Sequence, residues 1–295
     1  RRRRKNRQDT KGSMIYALWL LGVVWLVVLS CCMRKKRPRR KKKGLVERAA
    51  VCAFQGRRQS MEDAHVCIPD AREYKTTAFF AVYDGHGGAR ASTFAAEHLH
   101  TLILSNNHKQ YDPVRAIFEG FETFENQWLE HSRLEDISDG STAIIVWIIH
   151  NVMYIANLGD SRAVLGTGGR AVALSKDHKP GDPVERKRIE ALGGFVMMNC
   201  GALRVQGELA TSRALGDVHL KPYVGAKPDI RPRHIGENDD FLIIASDGLW
   251  DVVKPQEAVD LVSRQPGVST AAPALVEMAM SLNTNDNVTV IVVDL

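Results

Sequence analysis

The 295-residue sequence predicts an α+β fold in which antiparallel sheets pack against helices. Two observations indicate this class. Apolar, β-branched runs that end in Gly, Asp or Asn recur along the chain, and several follow one another without a helix between them. Helical patterns come in pairs rather than after every strand, which disfavours repeated βαβ units. With 44% hydrophobic and 25% charged residues, the chain can bury a sizeable core.

Each element follows from a local pattern. Strands are predicted for the runs rich in Val, Ile, Phe and Tyr at 76–84, 141–150, 152–166, 170–175, 241–248 and 287–295. Helices are predicted over 89–104, 112–134, 182–192, 254–264 and 270–282. The helix over 182–192 opens with Asp-Pro and is followed by Gly-Gly, which are start and stop signals.

The charge is divided unevenly between two parts of the chain. Residues 1–43 carry 16 Lys and Arg and one acid, a net charge of +15. Residues 44–295 carry 24 basic and 33 acidic side chains, a net charge of −9. The overall excess of +6 therefore says little about the larger part, and we expect no nucleic-acid partner.

An uncharged segment of 20 residues, 14–33, predicts a transmembrane helix, since 1.5 Å per residue spans a hydrocarbon core of about 30 Å. The basic segment that follows argues against a buried core helix, and a cleaved signal peptide would have a shorter apolar run and a small-residue cleavage site. Seven basic residues precede the segment and nine follow it. The positive-inside rule thus slightly favours a cytosolic location for the acidic part.

This predicts four regions: a basic flank (1–13), the transmembrane helix (14–33), a basic juxtamembrane linker (34–44) and a catalytic domain (45–295). We expect a single-pass membrane protein whose linker contacts anionic headgroups. Cys31 and Cys32 at the boundary are candidates for palmitoylation or are simply apolar. The scattered cysteines suggest neither a disulfide framework nor a zinc site.

Acidic residues stand where apolar strands begin or end. The stretches are "MEDAH" (61–65), "YDGHGG" (83–88), "NLGDSRAV" (157–164), "ASDGLWDVV" (245–253) and "NDNVTVIVV" (285–293). With almost no Lys or Arg nearby in sequence, such carboxylates would repel one another at one rim of the sheets. An all-oxygen ligand set of this kind suits Mg²⁺ or Mn²⁺ rather than zinc.

A pair of such cations could activate water for attack on a phosphoryl group. Arg58 lies four residues before Glu62 and is a candidate phosphate ligand near the metals but not on them. His86 follows Asp84 by two residues and is a candidate general acid. Taken singly, Arg58 is equally well a solvated surface charge and His86 a loop residue.

Ten motifs in order make the chain resemble the metal-dependent type 2C protein serine/threonine phosphatases over roughly residues 51–295. They include "GRRQSMEDAH", "FAVYDGHGG", "ANLGDSRAVL", "SKDHKP", "RVQGELATSRALGD" and "FLIIASDGLWDVV". The resemblance implies a four-layer αββα sandwich of two antiparallel sheets flanked by helices. It also implies hydrolysis of phosphoserine and phosphothreonine in proteins by a monomeric catalytic domain. The segment after "ALGGFV" resembles a flap that shapes substrate access.

The same resemblance implies a role for each matching residue. Asp84 would bridge two Mg²⁺ or Mn²⁺ ions, with the Gly85 carbonyl as a further ligand. Further ligands would be Asp247 and Asp286, with Glu62 acting through water and Asp63 in support. A third, weaker position would use Asp160, Asp247 and Asp251. Arg58 would bind the phosphate and His86 would act as the acid, while Asp217 and Asn287 belong to the pattern without an assigned role.

Three other interpretations remain. Cys52 and Arg58 have the C-x₅-R spacing of a cysteine phosphatase loop, but the segment lacks the following helix, and Cys31 and Arg37 share the spacing by chance. A membrane-tethered scaffold could bind phosphoproteins without turnover. The basic tail alone could be a nuclear localisation or nucleic-acid segment, although the adjoining apolar segment disfavours this.

Overall fold

The computed structural model of the chain describes residues 48–71, 78–109 and 111–295. The predicted basic flank, transmembrane helix and juxtamembrane linker (residues 1–44) lie outside these ranges. Within them, no helix combines the length and the apolar character needed to cross a membrane.

Five antiparallel strands form the first sheet. They are β1 (Ala49–Phe54), β8 (Arg162–Thr167), β9 (Arg170–Ala173), β14 (Asp239–Ala245) and β15 (Val288–Asp294). Their order across the sheet is β1-β15-β14-β8-β9. In the register, Ile243 lies opposite Val292 on one side and Val164 on the other.

A second antiparallel sheet also has five strands. They are β2 (Ala64–Ile68), β3 (Ala78–Tyr83), β6 (Ala143–Ile149), β7 (Val152–Leu158) and β13 (Asp229–His234). Their order is β13-β7-β6-β3-β2. Every residue of β3 is buried, because the strand lies between two layers of apolar side chains.

Five of the six helices in the described ranges match predicted ones, with ends within two residues of those expected. They are α1 (Arg90–Leu104), α2 (Pro113–Glu135), α3 (Pro183–Ala191), α4 (Asp247–Trp250), α5 (Pro255–Arg264) and α6 (Val268–Ser281). Asp112 caps α2 by accepting a hydrogen bond from the Arg115 N–H, and Asp182 caps α3 by accepting one from Val184. The short α4 was predicted as part of a strand ending.

Three apolar cores define four layers. Alternate residues of the strands point to opposite faces, so Phe80 and Ile244 meet between the two sheets. On the outer face of the second sheet, Trp147 packs in one core with Leu99 of α1. On the outer face of the first sheet, Leu275 of α6 lies in a third core. The predicted α+β fold of antiparallel sheets flanked by helices is therefore confirmed.

Two smaller units lie beside the sandwich. Three short strands, β4 (Gly85–His86), β5 (Gly140–Ser141) and β12 (Leu215–Gly216), form a sheet in the order β12-β5-β4. Strands β10 (Val196–Asn199) and β11 (Ala202–Val205) form a hairpin where the flap was expected. This hairpin shares a separate small core with α3, which includes Ile189, Val196, Val205 and Leu220.

The strand prediction needs two corrections. The run 152–166 is not one strand, because the chain turns at Gly159 and passes from β7 in the second sheet to β8 in the first. The φ of Gly159 is 107°, a conformation that glycine adopts readily and other residues rarely do. Strands β1, β2 and β13 of the large sheets were not among the predicted runs, and neither were the short strands β4, β10, β11 and β12. The sequence of β13, "DIRPRH", is polar and contains Pro232, and β13 forms because it is an edge strand paired only with β7.

Candidate active site

Acidic side chains from both sheets lie together at one end of the sandwich. Asp84 follows β3 and Asp160 follows β7 in the second sheet, and Asp63 precedes β2. In the first sheet Asp247 follows β14 and Asp286 precedes β15. Burial raises the pKa of Asp84 well above its usual value, and the charges of the other four carboxylates raise it further. These carboxylates therefore require a proton or a cation between them.

The main chain around Asp84 is held firmly. Its carbonyl accepts a hydrogen bond of 2.9 Å from the Thr142 N–H, and its own N–H donates to the Thr142 hydroxyl at 3.2 Å. That hydroxyl also lies 2.8 Å from the Ser161 hydroxyl, next to Asp160. The Asp247 N–H lies 3.4 Å from the Asp84 carboxylate. These hydrogen bonds around Asp84 thus help to fix the positions of the carboxylates.

Asp63 is a buried member of the cluster. It is 9% exposed and accepts a hydrogen bond of 2.8 Å from the Ser246 hydroxyl. Burial raises the pKa of Asp63 to about 6, and the nearby charge of Asp286 adds to this, although the Ser246 hydroxyl acts in the opposite direction. Ser246 accepts in turn from the Thr289 N–H at 3.0 Å, so Asp63 is attached to β15.

The two remaining acids predicted as ligands lie at the margin of the cluster. Glu62 is half-buried and accepts a hydrogen bond of 2.8 Å from the Ser60 hydroxyl. Asp251 lies at the end of α4 with part of its surface open to solvent, and partial burial of its carboxyl group together with the charge of Asp160 raises its pKa.

Two cations contact the cluster, contrary to the expectation that Lys and Arg would be almost absent. The Lys179 ammonium lies 2.5 Å from a carboxylate oxygen of Asp160. The Arg58 guanidinium lies 2.6 Å from a carboxylate oxygen of Asp286. Arg58 was expected near the metals but not on them, and the structure places it against one of the proposed ligands. The expectation that bases would be almost absent was wrong because Arg58 and Lys179 lie 228 and 19 positions along the chain from the acids they contact.

The loop that carries Arg58 is attached to β15 by Asn287. The Asn287 side-chain amide donates to the carbonyl of Gln55 at 2.7 Å and to that of Ser60 at 3.0 Å. Its side-chain oxygen accepts from the Glu62 N–H at 2.8 Å. Asn287 is 4% exposed and thus positions the loop from within. This gives Asn287 a supporting role that its sequence pattern left open.

His86 and Asp217 form a pair beside the cluster. The His86 Nε2 lies 2.9 Å from both carboxylate oxygens of Asp217, which is 2% exposed. Burial acts to lower the pKa of His86, but the Asp217 carboxylate outweighs it, so the pKa lies above its usual value. A Cβ atom at Gly140 would lie 2.1 Å from Asp217 and 2.4 Å from His86, so only glycine fits there. Asp217 thus orients and charges the histidine.

Gly85 lies in β4, directly after Asp84. A Cβ atom at Gly85 would lie 2.3 Å from the Glu62 carbonyl oxygen, so the absence of a side chain lets two loops of the cluster approach closely. The predicted use of the Gly85 carbonyl as a metal ligand is compatible with this place.

The chemistry of the donor set fits hard divalent cations. The groups that converge are carboxylates, and burial, together with their mutual repulsion, raises the pKa values of Asp63, Asp84 and Asp247. Among the described residues, no group of three His, Cys, Asp or Glu side chains is arranged to hold a metal ion. Lys179 and Arg58 instead hold two of the carboxylates. Cation binding would therefore involve local rearrangement of these side chains.

Sequence reasoning missed several supporting residues. Lys179 comes from a loop 19 positions after Asp160, and its spacing gives no sign of the contact. Asp139 is 1% exposed and holds the Arg90 guanidinium at 2.5 Å beside β4 and β5. Its sequence "SDGSTA" has the same acid-at-strand-start pattern as the other stretches, so that signal could have found it.

The structure gives no support to a cysteine nucleophile at Cys52. This residue lies within β1, opposite Val290, and not in a loop before a helix. Burial of the thiol and the charge of Glu277 raise its pKa, which is the opposite of what a reactive thiolate requires.

The proteins that this chain resembles agree with the phosphate chemistry that the geometry of the site suggests. A family model described as "Protein phosphatase 2C" matches residues 47–288. "Probable protein phosphatase 2C 52" of Oryza sativa subsp. japonica is 42% identical over 241 residues, covering 82% of this chain and 49% of that protein. "Protein phosphatase 1E" of Homo sapiens is 37% identical over 276 residues, covering 90% of this chain and 36% of that protein. The chain spans half or less of the length of these relatives.

Solved structures share the fold. A serine-threonine phosphatase 2C from Toxoplasma gondii superposes with a TM-score of 0.77 at 26% identity, covering 83% of this chain and 94% of that one. A C. elegans sex determining protein superposes with a TM-score of 0.78 at 24% identity, covering 98% of this chain and 74% of that one. The second likeness concerns the fold alone.

Proposed function

The chain belongs to the protein phosphatase 2C family, and from this membership we propose that it hydrolyses phosphoserine and phosphothreonine in proteins. Members of the family are metal-dependent serine/threonine phosphatases. The observation that carries the proposal is the convergence of repelling carboxylates beside one arginine and one histidine that is paired with Asp217. That combination offers places for divalent cations, for a phosphate and for a proton donor.

We assign the proposed cation ligands as follows. Two Mg²⁺ or Mn²⁺ ions would be held by Asp84, the Gly85 carbonyl, Asp247 and Asp286, with Glu62 acting through water and Asp63 in support. A third, weaker position would use Asp160, Asp247 and Asp251. When bound, such ions would lower the pKa of a water molecule and offset the charge of the phosphoryl group.

Arg58 is proposed to bind the substrate phosphate. Its side chain is 55% exposed, so its guanidinium can reach a ligand in solution while its Nη2 remains beside Asp286. A planar guanidinium presents two parallel N–H donors to a phosphate. Asn287 fixes the loop below it, which limits the conformational entropy lost when the phosphate binds.

His86 is proposed to protonate the departing serine or threonine oxygen. Asp217 favours the protonated imidazole by raising its pKa, and it holds the ring by the Nε2 contact at 2.9 Å. A charged histidine next to the phosphate site can supply a proton as the phosphorus–oxygen bond breaks.

The test is release of phosphate from a phosphothreonine peptide by the 295-residue chain with Mn²⁺, with Mg²⁺ or with excess EDTA, each with and without a thiol alkylator. We expect turnover that requires the cation and is insensitive to alkylation. The Asp247→Asn variant should lose turnover. The Asp260→Asn variant, which replaces an exposed carboxylate on α5, should retain it.

Other outcomes of the assay would contradict the proposal. Turnover that survives EDTA and is lost on alkylation would indicate a cysteine mechanism. No turnover with either cation, together with retained binding of a phosphoprotein, would indicate a scaffold.

We further propose that residues 14–33 anchor the chain in a membrane, with the catalytic domain monomeric and facing the cytosol. The support is the uncharged 20-residue segment and the nine basic residues that follow it, which suit anionic headgroups. The chain should stay with membranes through carbonate extraction, and protease added to sealed vesicles should distinguish the two orientations. Extraction by carbonate would rule out the anchor.

A further inference from the structure

Lys179 occupies the side of the acidic cluster formed by Asp160. Its ammonium lies 2.5 Å from a carboxylate oxygen of Asp160, which is 5% exposed. The Lys179 side chain is 42% exposed, so it reaches inward from the surface. Neither the phosphate site at Arg58 nor the proposed acid at His86 uses this residue.

The position of Lys179 is fixed by its neighbour in sequence. The His178 N–H donates to the Gly159 carbonyl at 2.9 Å, and the Gly159 N–H donates to the His178 Nδ1 at 3.1 Å. His178 is 3% exposed. This reciprocal pair holds the chain at 159 against the chain at 178, and so places the next residues, Asp160 and Lys179, side by side. The contact is therefore part of the fold rather than a chance meeting of surface side chains.

The Lys179 charge acts on more than Asp160. Burial raises the pKa of both Asp247 and Asp251, and the charge of Asp160 raises it further, while Lys179 acts on both carboxylates to lower it. The pKa of Lys179 itself is raised by Asp160, Asp247 and Asp251, which outweigh the effect of its own burial. These three acids are the ones assigned above to the third, weaker cation position.

We propose that Lys179 is a built-in counter-cation of this third position, which a divalent cation must displace from Asp160 in order to bind. The inference rests on the proposed function, because it presupposes the metal centre. An ammonium and a dication a few ångströms apart repel each other strongly enough to weaken binding by about tenfold or more, even with the dielectric constant of water. Lys179 thus keeps the position weak while compensating the charge of Asp160 when no cation is there.

The test is titration of the 295-residue chain with Mn²⁺, following free Mn²⁺ by electron paramagnetic resonance. We expect wild-type protein to show tight sites and one weaker class. Lys179→Met should tighten the weaker class by about tenfold or more and leave the tight sites unchanged. Lys179→Arg, which keeps the charge, should resemble the wild type.

Lys176→Met is the matched control. The Lys176 ammonium also lies 2.5 Å from a carboxylate, that of Asp182, and its side chain is 59% exposed. It belongs to the same loop but contacts an acid outside the cluster. This variant should bind Mn²⁺ as the wild type does. If Lys179→Met does not fold, Lys179→Gln takes its place and should tighten the weaker class of sites to the same extent.

The possible outcomes are distinguishable. If the neutral variants bind Mn²⁺ as the wild type does, or if Lys179→Arg tightens the weak class equally, the inference about Lys179 is overturned while the metal centre stands. If the wild type binds no Mn²⁺ at all, both the inference and the proposed function are overturned.

Discussion

Asp217 is buried and contacts the ring of His86, the proposed proton donor, at 2.9 Å. We expect Asp217→Asn to lower kcat by about 10- to 100-fold with little change in KM, because the residue supports a group that acts in the transition state. Steady-state kinetics with a phosphothreonine peptide would measure this.

The control for that variant is Asp229→Asn. Asp229 also faces a buried histidine, with 3.4 Å between its carboxylate and the His178 Nε2, but it is not in contact with His86. A comparable fall in kcat for both variants, or a rise in KM alone for Asp217→Asn, would show that Asp217 does not act through His86.

Asn287 makes three hydrogen bonds to the loop that carries Arg58, the proposed phosphate ligand. We expect Asn287→Ala to lower the free energy of unfolding by about 1–3 kcal/mol, because buried backbone groups lose their partners, and to raise KM. Urea denaturation and peptide kinetics would measure the two effects. Asn285→Ala, an exposed amide in the same segment, should change the stability little, and equal destabilisation by both variants would contradict the role given to Asn287.

At the residue scale, the sequence predicted the acids well and their partners poorly. Asp84 and Asp247 could be identified because an acid after an apolar run has a visible pattern. Lys179 could not, because its contact with Asp160 depends on how the loop after β9 returns to the turn at Gly159. Charges that meet through tertiary structure leave no spacing to recognise.

At the scale of elements, α3 is tied to the rest of the molecule by Glu185, which is 3% exposed. Its carboxylate lies 2.5 Å from the Arg213 guanidinium and 3.1 Å from that of Arg188, and accepts from the Ser212 hydroxyl at 2.9 Å. Burial alone would raise the pKa of Glu185, but Arg213 and the other donors lower it to about 2. Arg213 also contacts Asp229 at 3.0 Å.

Because the pKa of Glu185 is lower in the folded protein than in the unfolded one, its stabilisation is present above about pH 4.5 and is lost as the pH falls towards 2. The full contribution is about 3 kcal/mol. We expect Glu185→Gln to be less stable than the wild type at pH 6 and the difference to shrink at pH 3, as measured by urea denaturation. A difference that is equal at both pH values would contradict this linkage.

Helices were easier to predict than strands. Asp-Pro at the start of α2 and of α3, and Gly-Gly after α3, fix those helices locally. By contrast, β13 has polar residues and Pro232, and it is a strand only because β7 offers it an edge. The passage from β7 to β8 at Gly159 was missed because an apolar run shows no sign of a change of sheet.

At the scale of the whole molecule, repulsion within the acidic cluster opposes folding. We expect Mn²⁺ at about 100 times its Kd to raise Tm by about 5–10 °C relative to EDTA, because bound cations stabilise only the folded chain. Differential scanning calorimetry would measure this. The variant in which Asp84 and Asp247 are both replaced by Asn should melt at the same temperature in either condition, and a wild-type Tm indifferent to Mn²⁺ would contradict the expectation.

Fold class was predictable because layers depend on alternation of apolar residues, which the strands show clearly. The pairing order of the strands was not, since each sheet joins strands distant in sequence, such as β1 with β15. The membrane segment at 14–33 stays a prediction from composition alone.

The acids come from both sheets: Asp84 and Asp160 from one, Asp247 and Asp286 from the other. The thickness of the apolar layer between the sheets, which includes Phe80, therefore sets the width of the gap that any bound ions must bridge. We expect a change in the bulk of that layer to shift the acids of one sheet relative to those of the other, whereas an equal change beneath an outer helix should leave their separation unchanged. The packing between the two sheets thus contributes to the geometry of the acidic cluster as well as to the stability of the fold.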